Sequence, residues 1–233
     1  MVEQHTVKSF DAELEQLGRH ISEMGGIAEK MLADAMDALA GMNADLAHKV
    51  VNADARLDVL QRTVEDETVS VIARRQPVAV DLREIIGALR ISSDLERVGD
   101  LAKNIAKRAA KIAGEGRVPR AVMGLKSMHD LAVMQLNDVL DAYAQRDAER
   151  AKAVWLRDIE LDALEDSVFR DLLTHMMEDP RNITFCTHLL FCSKNLERVG
   201  DHTTNIAETV YYIVTGQALP TDRPRGIDSS ALP

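Results

Sequence analysis

Aromatic residues are scarce in this chain, at 3% of 233 positions, although hydrophobic residues reach 46%. The apolar content is carried instead by Ala, Leu, Val and Met, the profile of a mostly helical protein packed by aliphatic side chains. Proline and glycine are also few, six and twelve, and most stand at apparent element ends. Only two cysteines occur, Cys186 and Cys192. At that spacing on a helix they point to different faces, which disfavours a disulfide or a metal pair and fits a reduced, cytoplasmic setting. Basic residues are outnumbered: 28 Lys and Arg against 38 Asp and Glu give a formal charge of −10. That argues against nucleic acid, which needs clustered cations, and suits metal ions or basic protein surfaces. No apolar run reaches membrane-spanning length, and residues 1–30 carry charges throughout, so a soluble chain without a secretory leader is expected.

Catalytic signatures are missing as well. There is no Gly-rich phosphate loop, no Ser or Cys nucleophile motif and no zinc-finger spacing. The Glu-x-x-His of buried di-iron bundles is absent, and the seven histidines are scattered, with Asp45-x-x-His48 reading as ordinary surface. Met24, Met31, Met36 and Met42 read as core filling.

What the chain does contain is a repeat. Leu95-Glu96-Arg97-Val98-Gly99-Asp100 returns 101 residues later as Leu196-Glu197-Arg198-Val199-Gly200-Asp201, followed in register by Asn104-Ile105-Ala106 and Asn205-Ile206-Ala207. Upstream, Asp54, Leu57, Asp58, Leu60 and Val64 match Asp158, Leu161, Asp162, Leu164 and Val168 at an offset of 104. The three-residue difference falls inside an expected turn, so the chain is two copies of one structural unit.

Apolar spacing of three and four divides each copy into three long helices. They are expected over about 6–40, 44–75 and 80–113, then 119–145, from Asp147 to about 178, and from Asp179-Pro180 to Gly216. Asn43 and Asp147 are the expected N-caps, and Gly114-Glu115-Gly116 before Pro119 is the internal boundary. The fold class is all-α: two tandem, sequence-related three-helix bundles over 1–115 and 116–216, with a poorly ordered tail over 217–233.

Leu95, Val98, Ala102, Ile105, Ala109 and Ile112 form the inward seam of the third helix, matched by Leu196, Val199, Thr203, Ile206, Val210 and Ile213 in the sixth. Heptad bookkeeping then turns Glu96, Asp100 and Asn104 outward, beside Asp54 and Asp58; Glu197, Asp201 and Asn205 lie likewise beside Asp158 and Asp162. Carboxylates four apart on a helix repel, and a bound cation reverses that sign. Oxygen ligands suit Mg²⁺, Ca²⁺, Mn²⁺ and iron. The matched Gly99 and Gly200 suggest close approach of a helix or a ligand.

The doubled Leu-Glu-Arg-Val-Gly-Asp-x-x-x-Asn-Ile-Ala pattern resembles the PhoU family of phosphate-signalling regulators. Phe10-Asp11-x-Glu13-Leu14 and the Arg74-Arg75-Gln76-Pro77 to Asp81-Leu82-Arg83 turn share the likeness, which runs from about Ser9 to Gly216. The resemblance implies a cytoplasmic, non-enzymatic homodimer that restrains the phosphate-starvation response and phosphate uptake. It would do so by linking the ATPase subunit of the phosphate ABC transporter to a sensor histidine kinase, reaching the membrane only through these partners. It also implies surface metal sites on Glu96 with Asp100 and on Glu197 with Asp201, supported by Asn104, Asn205, Asp54, Asp58, Asp158 and Asp162. Iron, manganese, zinc, nickel, magnesium and calcium are the candidate ions. The competing expectation is a metal-dependent or metal-storage bundle.

Overall fold

The computed structural model describes residues 8–114 and 119–220. Among them there are seven α-helices and no strand: α1 Lys8–Gly41, α2 Ala44–Arg75, α3 Ala79–Ile112, α4 Pro119–Gln145, α5 Ala148–Leu156, α6 Asp158–Glu178 and α7 Ile183–Thr215. A 3-10 turn over Pro180–Asn182, capped by Asp179, leads into α7. The expected poorly ordered tail from 221 onward and the Glu115-Gly116 boundary lie outside the described residues.

One expected helix is divided. The segment after Asp147 breaks at Arg157 into α5 and α6, whereas its counterpart α2 is continuous. Gln135 of α4, itself buried, donates to the Arg157 carbonyl at 3.0 Å. The Arg157 guanidinium meets Asp138 at 2.6 Å. These side chains hold a tightened turn that hydrophobic spacing cannot report.

The duplication is visible in the backbone. Met42 and Arg146 both take the left-handed conformation, with φ of 51° and 52°. The next residue then caps the following helix: Asn43 accepts from Leu46 N–H and Asp147 from Arg150 N–H, both at 3.0 Å. Gly41 is thus the last helical residue of α1, and the left-handed turn falls one position later. Asn43→Ala removes the side-chain acceptor of the Leu46 N–H at the helix end and will cost about 1 kcal/mol, read as a lower urea midpoint with an unchanged slope.

α1, α2 and α3 pack as one bundle, and α4, α5, α6 and α7 as the other. α3 packs on α7 as extensively as on its own bundle partners, so the buried aliphatics form one continuous core. Along that contact Gly87 receives the Ile213 side chain, Asp94 meets His202 at 2.9 Å, and the Arg108 guanidinium lies 3.8 Å over the Phe191 ring. Cys186 and Cys192 are free, buried thiols within this core. No helix among the described residues is long and apolar enough to cross a membrane.

Gly99 and Gly200 mark the closest approach inside each bundle. A Cβ at Gly99 would run into Leu57 Cδ1; one at Gly200 would lie 2.5 Å from Leu161 Cδ2. Leu57 and Leu161 are equivalent and both buried, so the two glycines are explained by helix packing.

Candidate metal and partner surface

The close approach at these glycines reshapes the acidic stripes. Asp54 and Asp158, expected to face outward, are only 7% and 8% exposed. Heptad position e lies on the flank of a helix, and the glycine contact draws that flank of α2 and of α6 into the groove beside α3 and α7. Each stripe is therefore a partly buried seam between two helices, with Glu96, Asp100 and Asp58 half-buried in the first. In the second, Glu197 is half-buried, while Asp162 and Asp201 are exposed.

The two seams differ in chemistry. In the first, Lys103 reaches between α2 and α3 and donates to Asp54 Oδ2 and, at 2.5 Å, to Asp100 Oδ1. Burial works against its ammonium, yet the hydrogen bonds and attraction of Asp100 and Asp54 outweigh it and hold its pKa far above the ordinary lysine value. Arg97 adds contacts to Glu96 at 3.6 Å and Asp100 at 3.5 Å. In the second seam the residue matching Lys103 is Thr204, whose single hydroxyl proton is shared between Asp158 Oδ1 at 3.2 Å and the Gly200 carbonyl at 3.0 Å. A hydroxyl supplies no charge. Lys194 pairs with Glu197 Oε1 at 2.6 Å, leaving Glu197 Oε2 buried without a hydrogen-bond partner.

The carboxyl groups register the difference. Burial, then repulsion from Glu197, Asp158 and Asp162, raises the Asp201 pKa, with Lys194 opposing. Glu165 is raised by burial and by Glu197, Asp166 and Asp162, again against Lys194. Glu96 is also raised, by burial and Asp100, with Arg97 opposing. A raised carboxyl pKa means that the folded chain holds the proton more tightly than the unfolded chain. Stability therefore falls as pH rises from the ordinary carboxylate range through the raised value. Asp201→Asn will flatten that decline and raise the melting temperature at pH 7 but not at pH 4, as calorimetry across this range will read.

Among the described residues no three Asp, Glu, His or Cys side chains already converge as a metal-binding group. Asn104 is exposed. Asn205 turns away from the seam, donating its amide to Asp94 across the α3–α7 contact at 3.4 Å. His202, beside Asp201 in sequence, joins the same Asp94. Sequence reasoning missed Lys103, Thr204, Lys194 and Glu165; comparing the two copies for unlike residues, as well as like ones, exposes the first pair.

Fold and site together define a duplicated three-helix unit carrying two acidic inter-helical grooves. The PhoU domain family matches residues 21–109 and again 125–210. The phosphate-specific transport system accessory protein PhoU homolog of Rhizobium meliloti is 53% identical over 98% of this chain and 96% of its own length. The homolog of the same description from Caulobacter vibrioides is 49% identical over 95% and 96%. The crystal structure of PhoU from Pseudomonas aeruginosa, 39% identical, superposes with a TM-score of 0.86 over 89% of this chain and all of that one. The phosphate transport system regulatory protein PhoU from Streptococcus pneumoniae gives a TM-score of 0.83 at 27% identity, over 91% of this chain and 99% of its own. The chain belongs to the PhoU family, whose members are accessory proteins of phosphate transport.

Proposed function

We propose that this protein is a cytoplasmic, non-enzymatic adaptor that restrains the phosphate-starvation response and phosphate uptake. Its partners are the ATPase subunit of the phosphate ABC transporter and a sensor histidine kinase, and it works as a homodimer that meets the membrane through them. The observation that carries this reading is likeness to phosphate-transport accessory proteins along both repeats and nearly the full chain. Long helices with outward surfaces suit regulation by contact and conformational bias. The test is capture of both partners by the purified chain at high and low phosphate; capture of neither at any phosphate level ends the adaptor reading.

Metal binding belongs to the second groove in this proposal. Asp158, Asp162, Glu197 and Asp201 supply hard oxygen donors, and the buried, partnerless Glu197 Oε2 fits a cation that would offset their repulsion. The first groove, with Asp54, Asp58, Glu96 and Asp100, already holds the Lys103 ammonium. That asymmetry speaks against a metal store built from two like sites.

A further inference from the structure

The acidic half of the second groove runs on into an apolar half. α6 and α7 are antiparallel, with Leu161 against Gly200 and Asp158 against Thr204. That register sets Phe169 level with Cys192 and Met177 near Thr184. Successive steps of four residues keep Phe169, Leu173 and Met177 on the flank of α6 that carries Asp158, Asp162 and Asp166. Phe169 is 43% exposed, Leu173 39% and Met177 84%. On the α7 side Ile183 is exposed and Leu190 half-buried. Large apolar side chains set side by side on one exposed helix flank form a candidate interaction surface.

The first repeat lacks this combination. Its matching positions are Glu65, Val69 and Ala73, and its carboxylates hold Lys103. In the second groove Asp158, Asp162, Glu165, Asp166, Glu197 and Asp201 outnumber Lys194, which acts on Glu165, Glu197 and Asp201, and Arg170, which stands one helical turn on from Asp166.

We propose that the α6–α7 groove of the second repeat docks an amphipathic helix of a partner protein, its apolar face on Phe169, Leu173 and Met177 and its Lys or Arg residues on the acidic half, where they take the place of a divalent cation. This rests on the adaptor reading and names the surface and chemistry of the contact. From Asp162 to Met177 the flank is about 22 Å long, the reach of about four helical turns. Charge selects the occupant. The carboxylates repel an anionic bilayer, and a second copy brings the same acidic surface against its own.

The test uses the full chain and a fluorescent synthetic Leu/Lys amphipathic helix of about 14 residues. Wild type should bind it saturably. Phe169→Gln with Leu173→Gln should weaken binding at least tenfold, as should Asp162→Lys with Asp166→Lys. Val69→Gln in the first repeat should leave it unchanged. All are exposed positions, so melting curves will confirm folding. Equal binding by wild type and both double variants overturns the proposal. So does light scattering in which Phe169→Gln with Leu173→Gln turns a dimer into monomers, or binding to phosphatidylglycerol vesicles that this variant abolishes. If wild type captures the transporter ATPase or the kinase and the glutamine variant captures them equally, this groove is refuted while the adaptor reading stands. If wild type captures neither, the adaptor reading fails and the synthetic helix still judges the groove.

Discussion

Lys103→Met will destabilise the folded chain by about 3 kcal/mol, the scale expected when one partner of a largely buried ion pair is removed. The methionine keeps most of the apolar stem and fills the same space, so lost packing is a small part of the effect. What remains is Asp54, 7% exposed, without the ammonium that offsets its desolvation, facing Asp100 across the groove. Urea denaturation will show it as a lower midpoint, and calorimetry as a fall of roughly 6–12 °C. Asp54→Asn in the same background will recover most of the loss, because the amide leaves no buried charge to compensate. A loss under about 0.5 kcal/mol would place the pair with ordinary surface ion pairs and remove its structural role.

Divalent cations will bind one groove of the wild-type chain, not two. Titration calorimetry with Mn²⁺ should give a single strong equivalent. Asp158→Asn with Asp201→Asn should weaken it at least a hundredfold, about 2.7 kcal/mol. Lys103→Met should then open a second equivalent on Asp54, Asp58, Glu96 and Asp100, with part of the lost stability regained when the ion is present. The reciprocal Thr204→Lys places an ammonium beside Asp158 and should suppress binding in the second repeat. Two equal sites in wild type would show that Lys103 yields to metal, and the proposed asymmetry would fall.

Much of the fold was legible because helix ends and seams are written locally. Asn43, Asp147, Pro119, Asp179-Pro180 and Gly216 mark ends through cap and breaker chemistry, which acts within a few residues. The seam from Leu95 to Ile112 follows from spacing alone and is buried at every position. The break at Arg157 was not legible, since it depends on Gln135 and Asp138 from another helix. The acidic residues were found by their repetition, but their depth was misjudged. Heptad counting assigns a residue to a side of its own helix; how closely the next helix comes is set by Gly99 and Gly200 under Leu57 and Leu161. Asn205 was grouped by its spacing with the carboxylates, and the neighbouring bundle claims it through Asp94.

The α3–α7 contact has a further consequence. Gly87 with Ile213, Asp94 with His202 and Arg108 with Phe191 fall at evenly opposed levels along antiparallel helices. Their common midpoint is the Val98-Gly99 step of one copy against Val199-Gly200 of the other. Exchanging the two copies maps that contact onto itself, as a two-fold axis would in a symmetric dimer. The chain is thus built like a homodimer fused end to end, with each half serving as the other's subunit. The halves share this contact without being identical: one carries Lys103 where the other carries Thr204. A complete chain has already spent this face on itself, and pairing with a second chain must use another.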